Sequence, residues 1–115
     1  IDNWFSCRRK STSAPLERIA TARAEVVNRK TNAEWNVKFL GFLKIKYVAL
    51  AVDKDYRWIA VGHPSRQYGW VMARDTVMDE ATYQQILKVF ADSGYDTTRF
   101  VKVPQAVPAV DPPAF

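Results

Sequence analysis

The sequence contains a single cysteine, Cys7, and a single histidine, His63. One cysteine excludes an intrachain disulfide framework and any cysteine-based zinc site. A lone histidine in a Gly-His-Pro loop offers neither a metal cluster nor a Ser-His-Asp triad, and a solvated loop side chain is its ordinary role. There are four glycines in all, and none belongs to a glycine-rich phosphate loop. No apolar run approaches the roughly 18 residues that a membrane-crossing helix needs. Ile1 opens directly in a strand-like pattern, so no signal peptide is expected within this sequence, and a first residue other than Met points to a processed, trimmed or fragmentary chain.

Aromatic residues and positive charge are both plentiful. Aromatics make up 13% of the 115 residues, four of them Trp. Such side chains bury large areas in a core and also line apolar pockets. The net charge is +5, concentrated in residues 1–50, which hold ten Lys or Arg against four acids; the remainder holds seven against eight. A basic half of this kind faces water in the ordinary case, and phosphate or an anionic membrane surface in others. The hydrophobic content of 48% and the length fit one globular domain with one core.

Residues 1–75 read as consecutive short strands. Ile1–Arg8 is strand-prone and the stretch from Arg8 to Pro15 is a polar loop. From Arg18 to Val27, Ala20, Ala22, Ala24 and Val26 share one face and Thr21, Arg23 and Glu25 the other, the period-two pattern of a half-dry strand. Asn28–Asn32 is a turn. Trp35, Val37 and Phe39 then alternate with Glu34, Asn36 and Lys38, and Gly41 interrupts the run. Lys46–Val52 is apolar on both faces, as expected of a strand with a cavity on one side and a packed helix on the other. A tight turn over Asp53–Tyr56 leads to Arg57–Gly62, and the loop from His63 to Gln67 leads to Tyr68–Arg74. Strands at this spacing predict an antiparallel meander, hence a barrel or sandwich.

One segment carries a helical stripe: Tyr83, Ile86, Leu87 and Phe90 at i, i+3, i+4 and i+7. Thr76 or Asp79 suits its N-cap and Gly94 its C-terminal stop. Asp75, Asp79 and Glu80 complement the helix dipole more readily than they form a paired-acid site. Thr98–Val103 reads as a last short strand. The tail of residues 104–115 holds four of the six prolines and is expected to be extended and poorly ordered.

Three stretches give this order a family likeness. Ala51-Val52-Asp53-Lys54-Asp55-Tyr56 resembles the Asp-Tyr hairpin of the lipocalins. Tyr68-Gly69-Trp70-Val71-Met72-Ala73-Arg74 resembles their aromatic strand ending in a lone arginine. The helix followed by Gly94-Tyr95-Asp96-Thr97-Thr98-Arg99-Phe100 and Val103-Pro104-Gln105 is similar to the bacterial lipocalin and apolipoprotein D-like branch in wording and spacing. Upstream, Trp35–Phe42 resembles the Val-x-Phe-x-Gly strand of that family, while Ile1–Asn28 aligns loosely. The Gly-x-Trp of the family's opening strand has no counterpart, so Ile1 falls near the third strand of eight.

The resemblance implies an all-β fold, an antiparallel up-and-down lipocalin barrel of about six strands with a C-terminal helix and a last short strand. It covers residues 1–103 as an N-terminally incomplete barrel, with 104–115 as a Pro-rich tail. It implies carriage or storage of fatty acids, lysophospholipids or similar hydrophobic molecules in a lumen, no enzymatic activity, no cofactor and no metal. A bacterial envelope address, outer membrane or periplasm, follows from the same likeness; a membrane surface as a possible partner follows from the basic patch at Arg8, Arg9 and Lys10. Strict alternation anchored on Arg74 assigns the lumen to Tyr68, Trp70 and Met72, to Tyr47, Ala49 and Ala51, to Ala60 and Gly62, and to Trp35, Val37 and Phe39 beside Ala20, Ala22 and Ala24. Asp53, Asp55, Tyr56 and Arg74 are structural by that likeness, and Trp58 is more structural than ligand-facing.

Two rival readings stay open. A small basic barrel could bind single-stranded nucleic acid along Arg8-Arg9-Lys10, Arg29-Lys30 and Lys44/Lys46, with Trp4, Trp35 or Phe42 as stacking platforms, although the late helix speaks against it. An incomplete barrel could instead form a structural homodimer that shares edge strands and binds no ligand. Cys7, followed by Arg8, Arg9 and Lys10, resembles a lipocalin enzyme's cysteine but falls on the wrong strand for that role.

Overall fold

The computed structural model describes residues 2–11, 13–39 and 42–105. Six strands follow one another in a single antiparallel sheet whose spatial order equals the chain order: β1 (Asp2–Arg8), β2 (Leu16–Val26), β3 (Glu34–Phe39), β4 (Leu43–Val52), β5 (Trp58–Gly62) and β6 (Gly69–Ala73). The meander read from the sequence is thus present. Its ladder is open, since β1 and β6 are edges and are not paired with each other.

The turns are built by local side-chain chemistry. In the β2–β3 turn the Asn28 carbonyl accepts from Asn32 N–H at 2.8 Å, its side-chain oxygen accepts from Lys30 N–H at 3.1 Å, and Asn32 takes a left-handed φ of 54°, a conformation that Asn tolerates better than most residues. The β4–β5 turn is organised on Asp53, whose Oδ2 accepts from the backbone N–H of Asp55 at 3.3 Å and of Arg57 at 3.2 Å, and from Arg57 Nε at 2.9 Å. That hydrogen bond from the Arg57 side chain, more than the charge itself, holds the Asp53 carboxyl below its ordinary range. Across the same end of the sheet, Arg74 Nε donates to the Tyr56 carbonyl at 2.7 Å and Arg74 N–H to that of Arg57 at 3.0 Å, so Asp53, Tyr56 and Arg74 form one structural corner.

The helix α1 (Glu80–Asp92) starts at Asp79, one of the two N-caps read from the sequence. Asp79 carries no side-chain bond to the backbone; its carboxylate instead accepts from Thr82 Oγ1 at 2.9 Å. The end is a Schellman stop: Tyr95 N–H reaches the Phe90 carbonyl at 3.0 Å, Gly94 N–H reaches that of Ala91 at 3.0 Å, and Gly94 adopts φ of 88°. The edge-on contact of Tyr95 with Phe90, ring centroids 5.2 Å apart, is the apolar clasp that accompanies this motif. Along the stripe Ile86 and Phe90 are fully buried and Tyr83 and Leu87 half-buried.

Two cores result, one on each face of the sheet. On one face Ala22, Ala24, Val37, Tyr47 and Val61 are buried together, flanked by Trp35, Phe39, Ile45 and Ile59. On the other, α1 presses Ile86 and Phe90 onto Ala60, with Leu50, Ala51, Trp58 and Val71 around them. The two-sided apolar character of Lys46–Val52 is thereby accounted for on the helix side. Gly62 and Gly69 allow the close approach: a Cβ at Gly62 would stand 2.0 Å from the Tyr95 hydroxyl, and one at Gly69 2.8 Å from the Phe90 ring.

The last strand expected over Thr98–Val103 does not form. Thr97–Arg99 is a 3-10 turn capped by Asp96, which accepts from Thr98 N–H at 3.1 Å, and residues 100–105 pair with no strand of the sheet. Strand propensity alone makes no strand; a ladder partner is required, and this segment has none among the described residues. Most of the Pro-rich tail, residues 106–115, and Gly41 lie outside the described residues.

Candidate functional site

The face opposite the helix is concave. Tyr47 on β4 and Trp70 on β6 are two strands apart, yet their rings stack with centroids at 5.0 Å and planes at 23°. Strands two apart lie roughly 9–10 Å from each other along the ladder, so side chains meet this closely only where the sheet curls toward them. Tyr68 continues the stack, 6.5 Å from Trp70 at 13°, and His63 caps it edge-on at 5.9 Å from Tyr68. The floor is apolar: Ala22, Ala24, Val37 and Val61 are buried there. Trp35 has its indole N–H bonded to the Asn32 carbonyl at 2.7 Å, which turns its polar tip toward the β2–β3 loop and leaves the ring to the core.

Trp70 (37% exposed), Met72 and Tyr68 stay open to solvent along the β6 side, although each is large and apolar. Tyr47 is buried, and burial raises its phenol above the ordinary value. Its hydroxyl has no hydrogen-bond partner among the described residues. The face therefore presents an apolar trough with exposed aromatic surface and one buried donor.

The structure brings most of the residues expected to share a face together and sets three of them on the other face. Trp35, Val37, Phe39, Tyr47, Ala49, Tyr68, Trp70 and Met72 share the concave face, through the registers Trp35↔Tyr47, Ala49↔Val61, Val61↔Trp70 and Ile59↔Met72. Ala51, Ala60 and Gly62 are on the helix face instead: Ala60 is sealed beneath α1, Ala51 packs beside it and Gly62 faces Tyr95. For Ala51 the cause is an irregularity in β4 between Ala49 and Ala51, where Leu50 is an extra residue in the ladder. One extra residue reverses every side chain beyond it. Ala60 and Gly62 have another reason: they lie opposite Val71 and Gly69 in β6, and Gly62 lies opposite Val48 in β4 ahead of the irregularity, so β5 itself turns them to the helix. Ile59 and Val61 are the concave residues of β5 and were missed; the register that sets them opposite Met72 and Trp70 carries the parity of Arg74 onto them. Ala20 lies in β2 with its side chain outside the described residues.

The remaining candidates sort into structural roles. His63 Nδ1 is engaged by Ser65, with Oγ at 2.8 Å and N–H at 3.1 Å, a turn-building arrangement. Glu80 accepts from Gln84 at 2.9 Å and from Lys102 at 2.6 Å, and Lys102 holds its carboxyl below the ordinary range. No group of metal-ligating side chains occurs among the described residues. Cys7 is half-buried on β1. The cations proposed as one nucleic-acid track are divided: Arg8-Arg9-Lys10 lies at one end of the sheet and Arg29-Lys30, in the β2–β3 loop, at the other. Trp35 is a core side chain; Trp4's side chain lies outside the described residues.

A cavity of about 910 Å³ adjoins the trough and shares Tyr68 and Trp70 with it. It runs along the unpaired edge of β6, between that strand, α1 and residues 99–105, with Tyr83, Tyr95 and Phe100 among its walls. Its flank of unpaired strand backbone carries the donors and acceptors that an added strand would use.

Comparison with known proteins agrees with this architecture. The family described as lipocalin-like domain matches residues 2–105. Temperature-induced lipocalin-1 of Arabidopsis thaliana is 38% identical over 60 residues, 52% of this chain and 32% of the relative. Outer membrane lipoprotein Blc of Escherichia coli K12 is 30% identical over 83 residues, 72% of this chain and 47% of the relative. Its namesake in Citrobacter freundii is 28% identical over 75 residues, covering 65% and 42%. The matches span about a third to a half of the length of these curated relatives.

Proposed function

The chain belongs to the lipocalin-like family, and from that premise we propose that its concave face holds one hydrophobic small molecule, of the fatty acid or lysophospholipid class, and carries it without chemical change. The observation behind this reading is the stacked and solvent-open row Tyr47–Trp70–Tyr68 above an apolar floor. Covering apolar surface is favourable by about 25 cal/mol per Å², so an acyl chain laid along this row gains with every methylene. The buried Tyr47 hydroxyl supplies a donor for a carbonyl or carboxylate, and such single polar groups fix orientation in apolar sites. Titration with oleate while following tryptophan emission tests the reading: saturable quenching that salt barely alters supports it, and no quenching at saturating oleate overturns it. Mass analysis of recovered ligand checks that it leaves unchanged. The names of the bacterial relatives suggest the cell envelope as its address, which fractionation of expressing cells would test.

A second reading is favoured by one observation, the two unpaired edges. Exposed edges add strands readily, and the cavity beside β6 has the shape to admit one. A homodimer pairing β1 of one copy with β6 of the other would satisfy both. Solution mass by light scattering at rising concentration decides it: a constant monomer mass excludes the dimer.

A further inference from the structure

The up-and-down order sends alternate connections to opposite ends of the sheet. The β1–β2 loop (9–15), the β3–β4 loop (40–42) and the β5–β6 loop (63–68) share one end, as the registers Arg8↔Leu16, Phe39↔Leu43 and Gly62↔Gly69 require. By sequence these three connections carry Arg9, Lys10 and Arg66 and not one Asp or Glu. At the tip of the middle hairpin stands Phe42, 80% exposed, with Leu43 half open beside it. Lys44 follows directly. It lies opposite Lys38 in the ladder, and Lys38 lies opposite Arg23, a row of like charges that costs stability where it stands alone. Arg23 and Lys38 are eased by Asp2 at 3.1 Å and Glu25 at 4.0 Å. Lys44 and Lys10 have no acidic partner among the described residues, whereas Arg9 is held by Glu17 at 2.9 Å. Arg66 spends its Nε on the Ser93 carbonyl at 2.8 Å, at a helix end that also carries Asp92 and Asp96.

We propose that this end of the sheet docks on an anionic phospholipid surface, with the Phe42 ring in the headgroup boundary and Lys10, Lys44 and Arg66 over the phosphates. An exposed aromatic side chain at an end that also carries exposed cations is the combination that such an interface binds, since apolar burial and electrostatic attraction add there. The opposite end makes the contrast. It too exposes apolar side chains, Tyr56 and Val77, but its charge is mixed: Asp53, Asp55, Asp75 and Asp79 stand there with Lys54, Arg57 and Arg74, and with Arg29 and Lys30 of the β2–β3 loop. A nucleic-acid strand fits less well, because the cations are at separate loop tips and not along a groove. The docking is independent of whether the trough holds a ligand.

The test is co-sedimentation of the whole chain with vesicles of phosphatidylcholine containing phosphatidylglycerol, against pure phosphatidylcholine. Binding is expected to the mixed vesicles and to fall with added salt. Lys44→Glu is expected to weaken it about fivefold or more and Phe42→Ser about tenfold, while Lys54→Glu at the opposite end changes it by less than about twofold. Equal binding to pure phosphatidylcholine, wild-type binding by F42S and K44E, or an equal loss in K54E overturns the proposal. So does displacement of the protein from the vesicles by a single-stranded oligonucleotide. Oleate quenching read on the same samples separates the two ideas: its absence in every variant overturns the ligand reading and leaves the docking result standing.

Discussion

Tyr47 and Trp70 touch across the intervening strand, their rings 5.0 Å apart, and this contact marks where the sheet bends into a trough. Both rings sit on the surface that a ligand would cover. Trp70→Ala is expected to remove most of the oleate-dependent quenching. Tyr47→Phe is expected to keep the quenching but weaken oleate binding about fivefold, the worth of one hydrogen bond of about 1 kcal/mol, while leaving affinity for a hydrocarbon without a headgroup unchanged. Isothermal titration of the two ligands checks both.

The assignment of faces predicts opposite outcomes for two neighbouring positions. Ala60→Leu pushes into the fully buried contact with Ile86 and Phe90, so it is expected to cost roughly 1–3 kcal/mol by overpacking, seen as a lower urea midpoint. Met72→Ala, on the open trough, is expected to shift that midpoint by less than about 0.5 kcal/mol and to weaken oleate binding. If Ala60→Leu left stability intact and altered ligand affinity, the faces would be the reverse of those described.

Gly62 and Tyr95 are coupled by proximity. An added methyl at Gly62 meets the Tyr95 hydroxyl and ring, and that hydroxyl also donates to the His63 carbonyl at 2.8 Å. Gly62→Ala is expected to destabilise by about 1–3 kcal/mol, and the loss should shrink clearly in a Tyr95→Ala background, since the obstacle is then gone. A double-mutant cycle on unfolding midpoints gives the coupling.

Stability should fall on acidification. Asp53, Glu80 and Asp96 all have carboxyls held below their ordinary values, by Arg57, Lys102 and Thr98 respectively. A carboxyl depressed in the folded state favours folding at pH above its unfolded value of about 4, and that contribution is lost as pH drops through the lower folded value. Unfolding midpoints are therefore expected to decline below about pH 4, less steeply in Asp53→Asn. A decline of unchanged steepness in that variant would remove Asp53 from the account.

Local chemistry made much of the molecule legible. The alternation of Ala22 and Ala24, or of Trp35, Val37 and Phe39, reports a half-buried strand because a strand repeats every two residues wherever it pairs. The stripe through Ile86 and Phe90, the Asp53 turn and the Gly94 stop are also written in neighbouring residues, and together with the Tyr68–Arg74 strand they carry the family likeness. What depended on distant parts of the chain was not legible. Leu50 looks like any apolar strand residue, and nothing beside it announces an extra place in the ladder; only the pairing of β4, β5 and β6 shows that Ala51, Ala60 and Gly62 turn to the helix. Thr98–Val103 has the composition of a strand and forms none, because a strand is completed by its neighbour. The sequence by itself determined the order of elements and their periodicity, which are short-range properties. Tertiary structure decided which face each residue serves, how far the sheet bends between Tyr47 and Trp70, and that the carboxylate-free loops gather at one end, because each of these is fixed by register between segments far apart in the chain.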